Sequence, residues 1–316
     1  MTKLVGSVID VARESGSVAG RKQGLIDRIN RLIGPRTGHW LTSIRPGLPK
    51  VMVDDPRLLS YRETATGNGV ALSASTASGS LHTFPLGPIC YHPWVLALRR
   101  CTSAGDAAGI IQEVLEHYYS LVQPSAPADW LDVDEACCRP LAGLPAVATV
   151  MPWSLVMPDE ALEQALKRAE RERKGYGLRS TEKIGSPTFG PMAPAQIEAE
   201  ARKLMSLYQR LSHEELDPSR IDYDVGAVFL LDDARLRWYG NAGRHRIAVM
   251  AALGVQEITL SVRAVVRRDE VDIWPQVAVG NIERDAALQV FDRLMDGRLP
   301  VVAEPWVKWV DRTQPG

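Results

Sequence analysis

A chain of 316 residues can bury a sizeable core and can hold two domains. Its formal net charge of -1, with 24% charged and 45% hydrophobic residues, gives no overall pull toward nucleic acid or acidic membranes, although a local basic patch stays open. No apolar run reaches the roughly 18 residues of a membrane span, and residues 1–14 lack the apolar core of a secretory leader, so the expectation is a cytoplasmic protein with no membrane partner.

Residues 1–34 alternate polar and apolar at helical spacing, with Leu25, Ile29, Leu32 and Ile33 on one face and Gly34-Pro35 as the stop. Residues 38–56 are loop-rich, punctuated by Pro46, Pro49 and Pro56. Residues 67–80, crowded with Gly, Ser, Thr and Ala, predict an exposed loop or a weak strand. Residues 107–121 predict an amphipathic helix with Ile110, Ile111, Val114, Leu115 and Tyr118 on its buried side. A proline-punctuated loop anchored by Trp130 follows, and Trp153 is expected against a core.

The four cysteines, Cys90, Cys101, Cys137 and Cys138, fit no zinc-knuckle spacing and read as reduced packing residues. No metal site is expected. Residues 159–173 predict a charged helix laced by pairs three and four apart, most simply a solvated face. Residues 174–194 predict a mobile loop whose Gly185-Ser186-Pro187-Thr188-Phe189-Gly190-Pro191 core is either a lid or a linker. Residues 194–211 predict a helix with Ile197, Ala201, Leu204, Leu207 and Tyr208 as its apolar stripe, and Glu198 and Glu200 on other faces.

The most informative stretch comes next. Residues 227–231 read as a buried strand, 235–239 as a second strand, 247–253 as a helix closed by Gly254, and 257–266 as a third strand. Between the second strand and the helix lies Gly240-Asn241-Ala242-Gly243-Arg244-His245-Arg246. A glycine loop opening a helix offers backbone N–H groups and the positive dipole end to an anion, and Arg244 and Arg246 add charged forks suited to phosphate. A tight turn with solvated arginines fits the same residues. Arg263 and Arg267, four apart on a strand, predict a shared face. The tail, with Trp306 and Trp309, is expected to dock or to join a protein partner.

Gly243-Arg244-His245-Arg246-Ile247-Ala248-Val249, followed by Ala251-Ala252-Leu253-Gly254, resembles the G-x-H-R-x-x-A-x-x-x-L-G signature of the ParB/sulfiredoxin-like superfamily, with Val249 where the signature has Ala. The resemblance covers residues 222–262. Residues 185–291 also resemble bacterial proteins that carry this unit, some encoded near glycan-synthesis enzymes, in which a Trp-Pro-x-Val-x-x-Gly segment follows as at Trp274 to Gly280. The resemblance implies that Asn241, Gly243, Arg244, His245 and Arg246 bind the phosphates of a nucleotide, ATP or another, with Mg²⁺. The superfamily's kinases carry an acidic residue before the motif glycine, and here Ala242 stands there; Arg244 replaces the reactive cysteine of sulfiredoxins. If the unit is catalytic, Glu198 and Glu200 are the carboxylates at hand for hydroxyl activation, and either also fits a surface charge.

The resulting expectation is an α/β (α+β) protein. It has a mainly helical region at 1–180, a ParB/sulfiredoxin-like domain at 185–300 and a tail at 301–316. Three functions fit: a nucleotide-binding enzyme transferring phosphate to a small molecule; a non-catalytic module sensing a nucleotide or sugar phosphate; and ParB-type DNA binding. The near-neutral charge and the absence of a helix-turn-helix after residue 267 weigh against the last.

Overall fold

The computed structural model describes residues 63–66, 69–75, 79–80, 89–101, 107–177, 185–213, 225–232 and 235–313, the first three segments by backbone. The helix expected within 1–34 and the loop at 38–56 lie outside the described residues. Strands β1 (Glu63–Thr66) and β2 (Gly69–Ser75) form an antiparallel pair, and β2 runs antiparallel to β6 (Glu257–Arg267). β6 is parallel to β4 (Gly226–Asp232), which pairs antiparallel with β5 (Arg235–Ala242), and β3 (Gly79–Ser80) lies parallel at the edge of β5. The order is β1-β2-β6-β4-β5-β3. A parallel pair needs a crossover, and helix α6 (Arg244–Ala252) lies on that path from β5 to β6.

Helices cover both faces of this mixed sheet. Ala227, Phe229 and Leu231 of β4 point into one apolar cluster and Val228 and Leu230 into another, so the strand is buried on both sides. The first cluster holds the inner faces of α1 (Pro93–Cys101), α2 (Ala107–Leu121), α5 (Pro194–His213), α6 and α9 (Glu304–Thr313). The second is built on α8 (Arg284–Met295) with parts of α3 (Pro127–Leu131) and α7 (Pro275–Ala278). Fully buried Trp94, Trp238, Trp306, Phe229 and Phe291 dominate the two cores, each contributing about 1.5–3 kcal/mol or more by burial.

The chain is therefore a mixed helix-and-strand protein. Residues on either side of 180 share one sheet and one core: β2 pairs with β6, and Trp94, Leu115 and Tyr118 pack in the cluster that holds Ile197, Ile247 and Trp306. Among the described residues, the region expected to be mainly helical supplies strands β1, β2 and β3 as well. α9 docks within the chain, with the Trp306 indole N–H donating to the Tyr91 carbonyl (2.9 Å) and Trp309 stacked on Trp306. No helix among the described residues is long and apolar enough to cross a membrane.

Two bulges flank the N-terminal end of β4, one in each neighbouring strand. Asn241 is the extra residue of β5 between Ala242, opposite Gly226, and Gly240, opposite Ala227. Arg263 is the extra residue of β6 between Val262 and Ala264. The second bulge changes the parity of β6: Ile258, Leu260 and Val262 enter the first cluster, whereas Ala264 and Val266 enter the second. Simple alternation from Arg263 to Arg267 is thus interrupted, and Arg267 pairs with Asp269 (3.3 Å) in the following turn.

The stretch expected as a lid or linker is stapled where it is described. The Tyr118 and Tyr119 hydroxyls donate to the carbonyls of Thr188 (2.6 Å) and Pro187 (3.1 Å), and the Gly190 amide donates to the Val122 carbonyl (2.8 Å). Gln196 grips the Gly185 backbone from both sides of its amide, and Phe189 is buried against Trp130.

Candidate functional site

Gly243 is the residue on which α6 starts. Its φ of +68° lies in the left-handed region, where a Cβ is disfavoured. Its carbonyl accepts from the amides of Arg246 (2.9 Å) and Ile247 (3.1 Å), and no side chain caps the helix. A helix start keeps amides without intrahelical acceptors. From this turn Ile247, Ala248, Val249 and Ala251 go into the core, so the branched Val249 is accommodated fully buried. Arg244 and His245 are left facing α5.

His245 meets a buried carboxylate. Its Nε2 is hydrogen-bonded to Oε1 of Glu200, a residue only 4% exposed on the inner face of α5. The other carboxylate oxygen faces the Tyr176 hydroxyl (3.5 Å) and the Lys203 ammonium (3.9 Å). The imidazole lies on the buried indole of Trp94, with ring centroids 4.2 Å apart and planes 12° from parallel. Behind Trp94, the His92 ring packs edge-on (5.0 Å), and its Nδ1 accepts from the Trp94 amide (3.2 Å). Four segments thus converge: the start of α1 with the turn before it, α5, α6, and the end of α4 (Pro158–Gly175).

These groups line a cleft of about 490 Å³, within the roughly 300–1,000 Å³ of small-molecule sites. Four cations reach it: Arg168 and Arg171 from α4, Lys203 from α5 and Arg244 from α6. Two carboxylates, Glu172 and Glu200, sit among them. Burial alone would lift the Glu200 carboxyl, but the hydrogen bond from His245 and the charge this ring carries when doubly protonated, helped by Lys203 and Arg244, bring it below its ordinary value. Burial lifts Glu172 against the pull of Arg168. Arg244 holds its proton less tightly because it is buried and close to Arg168, while Glu200 acts in the opposite sense; as a guanidinium it stays charged. Burial holds His92 well below 6.5, the charges of Arg244 and His245 adding to the effect, so it is neutral.

Of the residues singled out in the sequence, Glu200, Gly243, Arg244 and His245 come together. Glu200 is a buried partner of His245 and not a surface charge. Glu198, two residues earlier, points the other way: it is exposed and ion-paired with Arg202. Asn241 is exposed at its bulge, and neither it nor Arg246 lines the cleft. Nothing in the amino-acid pattern connects Trp94, Glu172, Tyr176, Arg168 and Arg171 with the glycine turn, yet all five line the cleft. The charged run of α4 has its solvated pairs, such as Glu163 with Lys167, but its C-terminal turns form one wall of the cleft.

Comparison of the chain with protein-family models, with curated proteins and with solved structures returns no significant match. The chemistry of the cleft therefore carries the functional reading.

Proposed function

We propose that the cleft binds the phosphate groups of a small molecule, a nucleotide first among them, and that the protein transfers phosphate from it to a small acceptor. The supporting observation is the convergence of Arg168, Arg171, Lys203 and Arg244 at the uncapped start of α6. An excess of cations over carboxylates, a helix dipole and a partly desolvated guanidinium all favour an anion of high charge. The resemblance of Gly243-Arg244-His245-Arg246 to the ParB/sulfiredoxin-like signature points to the same ligand class. Among the described residues no group of three or more His, Cys, Asp or Glu is placed to hold a metal ion, so in this reading Mg²⁺ arrives on the phosphates of ATP.

A second reading is favoured by one specific position. Ala242 stands where the superfamily's kinases carry an acid, and its neighbour Asn241 is exposed. A module that senses a nucleotide or sugar phosphate without turning it over needs only the cations. Mg²⁺-dependent turnover separates the two.

The test is a thermal-shift panel of nucleotides and sugar phosphates, with and without Mg²⁺, run on wild type and Arg244→Ala. Ligand binding to the folded state raises the unfolding temperature in proportion to ln(1 + [L]/Kd). A shift present in wild type and lost in Arg244→Ala supports the site. The absence of any shift with phosphorylated compounds would sink the reading.

A further inference from the structure

The Glu200–His245 pair has a directional consequence. A carboxylate only accepts hydrogen bonds, so the contact of Glu200 Oε1 with Nε2 places a proton on Nε2. In a neutral ring the lone pair is then on Nδ1. That nitrogen has no hydrogen-bond partner among the described residues, and it is not among the sealed, unsatisfied polar atoms. His245 lines the cleft with about a quarter (23%) of its side chain exposed, while the Glu200 end is buried and one ring face is covered by Trp94. The accessible basic atom is Nδ1.

We propose, resting on the phosphate-binding reading above, that His245 is the catalytic proton acceptor and that Glu200 is the positioning residue that fixes its tautomer. This differs from a direct role for the Glu200 carboxylate, whose Oε1 is engaged by His245. In the step itself a hydroxyl oxygen, of water or of a small polyol, forms a bond to the terminal phosphorus of a nucleoside triphosphate held by the cations. The bond from that phosphorus to the bridging oxygen breaks, and its electron pair leaves with the nucleoside diphosphate. The hydroxyl proton passes to Nδ1, giving an imidazolium opposite the Glu200 carboxylate, and water later removes it. A positioned histidine base contributes about 10²–10⁴-fold to such a step.

The charged and titratable groups around His245 in the cleft are Glu200 and Lys203 on α5, Glu172, Arg168 and Arg171 on α4, Arg244 beside it and His92 behind Trp94. Tyr119 on α2 and Tyr176 after α4 are held protonated, both by burial and by the Glu200 charge.

The first measurement needs no ligand: nitrogen-15 spectra of the imidazoles in wild type, Glu200→Gln and Glu200→Asp at neutral pH. Wild type should show His245 protonated on Nε2 and bare on Nδ1. Glu200→Gln can turn its amide N–H toward Nε2 and drive the proton to Nδ1, whereas Glu200→Asp keeps a carboxylate and restores the wild-type tautomer. A wild-type ring protonated on Nδ1, or on both nitrogens, overturns the proposal. The second measurement uses ATP with Mg²⁺ as the probe, with water and small polyols as acceptors, and follows ADP release beside calorimetric binding. His245→Gln and Glu200→Gln should lower kcat by about a hundredfold or more while ATP affinity changes by about threefold or less. The acid limb of the wild-type pH profile should vanish in His245→Gln, which a merely structural histidine would not produce. Folded variants are verified by circular dichroism. ATP binding without ADP release in wild type, or full kcat in His245→Gln, overturns this inference and leaves the binding reading standing. No binding of ATP or of any other phosphorylated compound overturns the binding reading itself.

Discussion

His245 lies flat on Trp94, with 4.2 Å between ring centroids and 12° between planes, and Glu200 grips the edge of the imidazole that points inward. The stack ties α6 to α1, so the first turn of α6 is held by a residue with no solvent exposure. Such a pair contributes about 0.5–1.5 kcal/mol beyond area burial. Trp94→Ala should cost about 3–5 kcal/mol of stability by urea unfolding. Trp94→Phe, which keeps a ring, should cost about half of that and still loosen His245. A Trp94→Phe protein with unaltered stability and an unaltered His245 imidazole spectrum would show that the stack is incidental.

The cleft separates residues that lie next to one another in sequence. Arg244→Ala removes a charge-assisted contact worth about 1.5–3 kcal/mol, so the affinity for a phosphorylated ligand should fall about 10- to 100-fold. Arg246→Ala, two residues further along the helix and outside the lining, should change it by about twofold or less. Glu198→Ala breaks only an exposed pair with Arg202, worth about 0–1 kcal/mol of stability, and should leave binding unchanged. Calorimetric titration of the three variants checks the placement. Equal losses in Arg244→Ala and Arg246→Ala would mean that the ligand lies across the helix start and not in the cleft.

Much of the local structure was legible because it is written in short-range patterns. The apolar stripe of α2, the run Ala227 to Leu231 and the glycine before Arg244 each specify an element without reference to the rest of the chain. The location of the glycine turn that opens α6 was legible for the same reason. What could not be read was which distant side chains meet it. Nothing near Trp94 signals a histidine on another helix, and Glu198 and Glu200 differ only by where α5 turns its face. The charged helix α4 reads as solvated because most of it is; its last turns belong to the cleft only through packing. Bulges are equally silent in sequence: Asn241 reads as part of a binding loop, and one extra residue in the ladder turns it to solvent.

Gly190 reports on the stapled segment below the cleft. A Cβ built there would fall 1.7 Å from the Tyr119 carbonyl oxygen, a backbone atom that cannot move aside cheaply. Gly190→Ala should therefore break the hydrogen bond that the Gly190 amide donates to the Val122 carbonyl and weaken the tyrosine staples, costing about 1–3 kcal/mol. Because Pro187 and Met192 line the cleft, ligand affinity should fall with stability. Limited proteolysis should cut residues 185–192 faster in the variant than in wild type. Equal cleavage and equal stability would show that these backbone contacts do not hold the segment in place.

Acid should weaken the fold in two separable windows. The folded His92 sits well below the ordinary 6.5, so the unfolded chain takes up a proton that the native state refuses. Stability is then full above about pH 6.5 and declines as pH falls, by up to about 1.4 kcal/mol per pH unit for one proton. Glu200 is held below the ordinary 4.5 when folded, so its contribution is full above that value and is lost only as pH drops through its lowered native pKa. Urea unfolding of wild type from about pH 8 to about pH 4 should show the decline beginning near 6.5. His92→Asn retains an acceptor for the Trp94 amide and cannot titrate. It should flatten the upper window and leave the lower one in place. If wild type and His92→Asn fall with the same slope between pH 6.5 and 5, the buried neutral histidine is not the origin of the acid sensitivity.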